Sequence, residues 1–382
     1  MKDMQRISLS KIFLQFLKLG FIAFGGPAAH TALMEREIVQ RRAWLSQQLF
    51  LDFMGSVNLI PGPNSTQMTM LTGYKLRGFW GMLASGMGFI IPAVLITGVL
   101  AWVYVRMGHL PQIEAFFFGL KPAVIAVIAG AILQLGRKAV KGVWLALLAV
   151  LVLAATLLGV NEITAILGAG ALGMAAFAIH KGFRGSANLK NIAPFVLLQT
   201  AGMAAPLTTG KLFLVFMKIG AVLFGSGYVL VAYLDGELVQ KLGWLTREEL
   251  LDAIAIGQFT PGPILSAATF VGYVLQGWTG ALVATLGIFL PSFLFIVILY
   301  PIIPRLRRSP FTAAFIDSVN VAAVAVMLSV SIVMTVDVAA DWRAALILAA
   351  ALAVVFAFKK LSSVWIILGG AVAGYVLGLM GA

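Results

Sequence analysis

Two short proline–glycine motifs are the residues of this chain best suited to chemistry inside a membrane. Pro61-Gly62-Pro63 lies within an apolar stretch and returns 200 residues later as Pro261-Gly262-Pro263. Proline removes a backbone donor and clashes with the preceding turn, so each motif should end one helix and begin another. A helix N-terminus carries roughly half a positive charge and binds anions. The two motifs therefore predict two halves of a site for a small anion.

A second pair of breaks lies upstream of these motifs. Gly25-Gly26-Pro27 interrupts the first apolar stretch, and its counterpart Gly225-Ser226-Gly227 has no proline. His30 follows the first break and is a candidate proton carrier, although a lone histidine also serves as a structural hydrogen-bonding group. Polar side chains near the proline motifs suit either anion oxygens or helix capping and helix–helix contact. These candidates are Asn58, Asn64, Ser65, Gln258, Thr260 and Ser266.

Two lysines occupy equivalent places in apolar segments. Lys18 and Lys218 lie in the matching strings Phe16-Leu17-Lys18-Leu19-Gly20 and Phe216-Met217-Lys218-Ile219-Gly220. An ionisable residue within a membrane segment is a candidate functional group, and the alternative is a lysine that reaches out to the membrane interface. Acidic residues at comparable depth are few, so the sequence favours an anionic substrate over a cationic one.

The matches extend over most of the chain, which indicates two copies of one unit. The offset is 200 near the proline motifs, and it has become 199 where Pro92 aligns with Pro291. We predict an N-terminal repeat over 1–190, a linking transmembrane segment over 191–210 and a C-terminal repeat over 211–382.

Composition places the chain in a membrane. It is 61% hydrophobic and 11% charged, whereas soluble domains carry about 25% charged residues. The net charge of +13 comes from basic residues spread over short loops, which favours cytoplasmic loop anchoring over a nucleic-acid partner. With no cysteine, no disulfide or thiolate metal site can form, and the sequence predicts no cofactor and no metal site.

Loop charges indicate that the two copies have opposite orientations. The loop after the first long segment of the first copy has only Arg106 and His109, whereas its counterpart has Arg305, Arg307 and Arg308. At the next loop the bias reverses, because Arg137, Lys138 and Lys141 align with a region containing two aspartates and one arginine. Lysine and arginine in short loops set topology, so we predict inverted repeats.

The predicted fold class is an all-α polytopic membrane protein of two inverted-topology repeats with discontinuous or re-entrant helices. Long crossings are predicted at about 78–105, 111–136, 142–160, 161–180, 277–303, 311–336, 341–358 and 363–381. With re-entrant broken pairs and the linking segment, this gives nine crossings with the N-terminus inside and the C-terminus outside. Whether 11–42 and 211–242 re-enter or cross is left open.

The motifs resemble those of the chromate ion transporter family in its long-chain, two-domain form. The resemblance covers both halves and rests on Phe24-Gly25-Gly26-Pro27, 58–65, 224–228, 256–263 and 287–292. It implies chromate export across the bacterial cytoplasmic (inner) membrane, driven by the membrane potential or a proton gradient, with sulfate as an isosteric competitor. The family's motif positions correspond here to Gly25, Gly26, Pro27, Pro61, Gly62, Pro63, Gln258, Thr260, Pro261, Gly262 and Pro263. The missing proline in the second Gly-Gly-Pro break suggests unequal sites.

Other functions remain as alternatives at this stage. Uptake of sulfate or another oxyanion would need a coupling group, and no buried acidic relay is evident in the sequence. An anion channel is a further alternative, whereas a lipid-phosphate enzyme would want an aspartate-rich metal motif that the sequence lacks. The expected partners are a chromate- or sulfate-type oxyanion and the lipid bilayer. A homodimer is an open alternative to a monomer.

Overall fold

The computed structural model describes residues 7–107, 111–180, 206–225, 227–303, 309–358 and 361–380. Every regular element in these ranges is helical, which confirms the all-α prediction. Residues 191–205 of the predicted linking segment 191–210 lie outside the described residues, and so does Ser226.

The first half contains seven α-helices and one π-helical turn. Ser8 caps the first helix by accepting a hydrogen bond from the Lys11 amide, and Ser46 caps the third through the Leu49 amide. The elements are α1 Leu9–Ile22, α2 Gly26–Met34, the π-helix Glu35–Arg41, α3 Gln47–Val57, α4 Asn64–Met107, α5 Pro111–Ala139, α6 Val143–Leu157 and α7 Glu162–His180.

The second half repeats this order. Thr208 caps its first helix, and Thr246 with Glu249 forms a complete capping box at the start of the helix Arg247–Phe259. The elements are α8 Thr209–Val222, a 3-10 turn Gly227–Val229, α9 Leu230–Leu234, the π-helix Asp235–Lys241, α10 Arg247–Phe259, a 3-10 turn Ile264–Ser266, α11 Ala267–Leu299, α12 Pro310–Ala339, α13 Trp342–Ala357 and α14 Ser363–Met380.

Helix α4 and its counterpart α11 are each two arms joined by a tight turn. Gly78 has φ 59° and Gly277 has φ 61°, and both follow a residue with non-helical torsion angles. A Cβ on Gly73 would overlap the carbonyl of Gly81, a contact that a continuous helix does not allow between residues eight positions apart. The short arm after each Pro-Gly-Pro motif therefore folds back onto the long arm.

Within the described ranges, five helices are long and apolar enough to cross a membrane, namely those containing Asn64–Met107, Glu114–Ala139, Glu162–His180, Ile264–Leu299 and Pro310–Ala339. The protein is thus a multi-pass membrane protein. Three further predicted crossings are shorter apolar helices, and α6, with 15 residues, reaches only about 22 Å against a hydrocarbon core of about 30 Å. Helix α6 ends early because Gly159 takes φ 92° and terminates it.

The last two helices of each half pack on the other half. Helix α5 lies against α13 and α14, and α12 lies against α6 and α7. Small residues allow this close approach, because a Cβ on Gly119 would overlap Gly370 and one on Gly173 would overlap Ser318. Reciprocal contacts of this kind are what a two-fold relation between the halves produces.

Candidate functional site

The two Pro-Gly-Pro turns are held by reciprocal hydrogen bonds between the halves. The Gly62 amide donates to the Leu223 carbonyl at 2.6 Å, and the Gly262 amide donates to the Ala23 carbonyl at 2.8 Å. These four residues are related by the 200-residue offset of the repeat. Each Pro-Gly-Pro turn is thus bonded to the residue that follows the first helix of the opposite half.

Both central glycines occupy positions where a side chain does not fit. Gly62 has φ 129° and Gly262 has φ 96°, which L-residues rarely adopt. A Cβ on Gly62 would lie 2.5 Å from both the Gln67 Nε2 and the Ser292 Oγ atoms, and one on Gly262 would lie 2.9 Å from Ala93. Because these residues have no side chain, neighbouring groups can approach the backbone of each turn closely.

A small pocket of about 10 Å³ lies beside both Pro-Gly-Pro motifs and Gly227 of the second-half break. It has room for about one water molecule. The predicted site residues that line it are His30 from α2, Asn64 and Ser65 at the start of α4, and Pro63 and Pro263 at the two motifs. The remaining lining residues are Gly227, Ile264 and Leu265. That the helix breaks form parts of one anion site stays a prediction.

Several buried polar atoms near this centre have no hydrogen-bond partner of normal geometry within the described residues. They include both ring nitrogens of His30, the Thr66 hydroxyl, the Gln67 Oε1, both side-chain amide atoms of Gln258, and the Ser292 hydroxyl. Leaving a buried polar group unpaired costs about 1–3 kcal/mol. Each of these groups can bond to a water molecule or to a polar ligand.

The first-half turn and the second-half turn offer different side chains. Gln67 donates its Nε2 to the Pro61 carbonyl at 2.6 Å, and its position corresponds to Ala267 in the repeat. On the other side the Thr97 hydroxyl donates to Thr260 at 3.3 Å. Thr260 also lies 3.3 Å from the Ser266 hydroxyl. The two halves of the centre are therefore chemically unequal.

The remaining predicted polar residues join the two arms of the first break. The Asn64 amide donates to the Asn58 side-chain oxygen at 2.9 Å, and Asn58 donates to the Met54 carbonyl at 3.2 Å. Asn64 therefore ties α3 to α4 instead of capping α4 with its side chain. Thr97 and Ser292 were not among the predicted site residues. Ser292 aligns with Ala93, and this polar replacement at an equivalent position is the signal that could have revealed it.

The two equivalent lysines have different surroundings. Lys218 is partly buried and forms an ion pair with Glu237 at 2.5 Å, and Lys241 lies 3.7 Å from the same carboxylate. Lys18 is exposed and acts electrostatically on Glu37, the counterpart of Glu237. Neither lysine lines the pocket, so their contact with an anion stays a prediction. Among the described residues, no group of three or more His, Cys, Asp or Glu could hold a metal ion.

The two halves also differ in how deeply their broken elements are covered. Leu51 on α3 is 47% exposed, whereas its counterpart Leu251 on α10 is 2% exposed. Phe24 beside the first break is 47% exposed, and Phe224 is 7% exposed. Helix α10 packs against α5, α11 and α14, whereas α3 packs against α4 and the π-helix of its own half. The centre is therefore covered on the α10 side and less covered on the α3 side.

The sequence as a whole matches one known family over both halves. The family model described as "Chromate transporter" matches residues 10–174 and again residues 210–375. The chain belongs to the chromate transporter family. Both matched regions contain a Pro-Gly-Pro turn and a first-helix lysine, so the family pattern covers the pocket-forming elements of each half.

Full-length relatives have the same size as this chain. A chromate transport protein of Cupriavidus metallidurans is 32% identical over 97% of this chain and 93% of its own length. One of Pseudomonas aeruginosa is 31% identical over the same shares. A probable chromate transport protein of Synechococcus elongatus is 34% identical over 83% of this chain and 82% of its own. No solved structure matches the chain.

Proposed function

We propose that this chain is a secondary transporter that exports chromate across the bacterial cytoplasmic membrane. The observation that carries the proposal is the pocket that both Pro-Gly-Pro motifs, Gly227 and His30 line together. Membership of the chromate transporter family and the multi-pass architecture support the substrate and the setting. In the proposed carrier, each repeat contributes one half of the binding site.

The chemistry of the centre suits a tetrahedral dianion. The first amides of α4 have no acceptor within their own helix, and the helix dipole favours negative charge at this end. Ser65, the Gln67 amide side chain and the Ser292 hydroxyl supply further polar groups around the first turn. Because desolvating a dianion is costly, several donors must replace its water shell together. The glycines at the turns allow the anion to approach the backbone.

His30 lines the pocket and also packs against the protein's hydrophobic core. Its side chain is 2% exposed and packs edge-on against Phe89, with ring centroids 5.7 Å apart. In the proposed transporter, His30 donates to an anion oxygen, and its role as a proton carrier remains a hypothesis. Lys18 and Lys218, which lie outside the pocket lining, contribute a longer-range positive potential.

The unequal covering of the two halves supports alternating access. We assign the α10 side to the outside and the α3 side to the cytoplasm, with the N-terminus cytoplasmic and the C-terminus external, as the loop charges predict. The structure then represents a state that is closed outside and more open inside. Exchanging the packing of α3 and α10 between the inverted repeats would generate the opposite state.

This orientation makes export of a dianion electrically favourable. A potential of 100 mV, negative inside, contributes about 2.3 kcal/mol per charge, or about 4.6 kcal/mol for two charges. The membrane potential alone can therefore drive chromate outward without a second ion.

Radiolabelled chromate uptake into everted vesicles tests the proposal. The expected result is saturable accumulation that increases with an imposed potential and is competed by sulfate. His30→Ala should lower the apparent affinity, whereas His180→Ala, at the exposed end of α7, should behave like the unaltered protein. Non-saturable flux would instead identify a channel, and accumulation only in right-side-out vesicles would identify uptake. Either result would contradict export by a carrier.

A further inference from the structure

A buried aspartate links the two halves on the covered side of the molecule. Asp252 on α10 accepts a hydrogen bond from the Tyr104 hydroxyl on α4 at 2.9 Å. Asp252 is 3% exposed, and its second oxygen has no hydrogen-bond partner within the described residues. Burial of a carboxylate disfavours its charged form and favours its proton-bound form.

The charged groups around Asp252 do not neutralise it directly. Lys121 on α5 lies near enough to attract it, but the Lys121 ammonium is paired with Glu248 at 3.1 Å. Glu248 and Glu249 on α10 itself oppose a negative charge at Asp252.

The charged groups on the other described elements packed against α10 are paired or exposed. On the adjacent π-helix, Asp235 pairs with Arg247, and Glu237 pairs with Lys218 and Lys241. The basic residues of α4, Lys75, Arg77 and Arg106, are exposed. Helices α11 and α14 contain no Asp, Glu, Lys or Arg, and their tyrosines are Tyr273 and Tyr375. A proton is therefore the remaining means of neutralising this side chain.

The same contact is not available on the opposite side. The repeat places Asp52 opposite Asp252, but the position equivalent to Tyr104 is Ile303, which cannot donate a hydrogen bond. Helix α3, which carries Asp52, is also less buried than α10. The tyrosine–aspartate pair thus belongs to one side only.

We infer that Asp252 is a proton-binding site and that closure of the α10 side requires its carboxylate to take up a proton. When α10 separates from α4 and α5, the carboxylate meets external water and accepts a proton from hydronium, which leaves water. The neutral acid then moves into the interface and accepts the Tyr104 hydrogen bond. Reopening returns the side chain to water, where the proton is released. The assignment of the external side rests on the proposed function, whereas proton-dependent closure does not.

Closure therefore strengthens as pH falls. The closed state binds the proton more tightly than the open state, so protons stabilise it and alkaline conditions remove that stabilisation. Over the pH range in which the carboxylate is ionised in the open state and protonated in the closed state, each pH unit should change the closing equilibrium by about tenfold. The dependence disappears once the closed-state carboxylate also ionises.

Single-cysteine labelling measures closure without any substrate, and the chain contains no native cysteine to interfere. Leu251→Cys reports the covered side. Its labelling is expressed as a rate relative to Gln276→Cys, an outside reference that cancels the thiol's own ionisation. Leu51→Cys, labelled in everted vesicles relative to Arg77→Cys, is the matched control on α3. With an impermeant maleimide in right-side-out vesicles, this relative labelling of Leu251→Cys should rise about tenfold per pH unit while the interface is mostly closed. Adding Asp252→Asn should abolish this dependence, because asparagine needs no proton and can still accept the Tyr104 bond.

Two further variants make the test decisive. Tyr104→Phe should increase labelling of Leu251→Cys at every pH, whereas Asp52→Asn should leave the pH response intact. A pH response of the relative labelling that survives Asp252→Asn, or relative labelling that is independent of pH in the parent, overturns the inference. If labelling behaves as expected and everted vesicles accumulate no chromate, only the proposed function fails.

Discussion

The environments of Lys18 and Lys218 show how far equivalent residues can diverge after duplication. Sequence matching identifies both as lysines within apolar segments, and that much was predictable. The carboxylate that pairs with Lys218 comes from Glu237 in the π-helix, and π-helical geometry has no clear sequence signal. The partner could therefore not be named in advance.

Replacing Lys218 separates charge from structure. Lys218→Met leaves Glu237, which is 3% exposed, without its closest ion-pair partner, so stability should fall by about 3–5 kcal/mol. The double variant Lys218→Met/Glu237→Gln removes both charges and should recover most of that loss. Thermal unfolding in detergent measures the recovery, and chromate affinity of the double variant then reports the electrostatic role of Lys218. Equal instability of the single and double variants would contradict the ion-pair account.

Gly62 offers a test of the central turn. Gly62→Ala forces an L-residue to φ 129° and places its Cβ against Gln67 and Ser292, so strain should cost about 1–3 kcal/mol. We expect chromate transport to be lost at protein levels that remain measurable. Gly168→Ala, where a Cβ meets no neighbour within 4 Å, is the control and should be neutral or slightly stabilising. Normal transport by Gly62→Ala would remove this turn from the site.

At the scale of elements, helix breaks were the most predictable feature and their packing the least. Proline and glycine fix where a helix must end, so the boundaries at 25–27 and 61–63 were accessible from sequence. The turn at Gly78 was accessible too, because the sequence predicts re-entrant broken pairs and a crossing that begins at about 78, but the close packing of the two arms of α4 was not. Helix α6 ends at Leu157, before the predicted boundary of 160, because Gly159 terminates it.

The hairpin in α11 should depend on Gly272. A Cβ there would overlap the Gly280 carbonyl, so Gly272→Ala should lower stability by about 1–3 kcal/mol through overpacking. Gly369→Ala on α14 meets no neighbour within 4 Å and provides the comparison. Thermal unfolding of both variants decides the matter. Identical midpoints would mean that the two arms of α11 do not need this close approach.

At the scale of the molecule, the duplication could be predicted from the sequence. The difference in how deeply the two halves are covered could not. Two similar repeats can adopt either of two exchanged packings, and no single residue in the alignment selects one. Leu51 and Leu251 are the same residue type with very different exposure. That asymmetry is a property of the conformation, so the sequence alone does not predict it.

The inverted topology is testable at one pair of equivalent turns. Arg77 and Gln276 precede the two hairpin glycines with nearly the same φ, −147° and −145°. Arg77→Cys should be labelled by an impermeant maleimide only in everted vesicles, and Gln276→Cys only in right-side-out vesicles. Labelling of both from one side would exclude opposite orientation of the repeats.

The crossed hydrogen bonds of Gly62 and Gly262 also constrain how the protein is made. The amide of Gly62 needs the carbonyl of Leu223, which is synthesised only after the whole first repeat and the linking segment. A growing chain therefore inserts its first Pro-Gly-Pro turn with that donor unsatisfied, in a setting where lipid offers no substitute. The first repeat should thus stay protease-sensitive in the membrane until the second emerges, and final assembly should follow insertion of α8 as a late step of biogenesis.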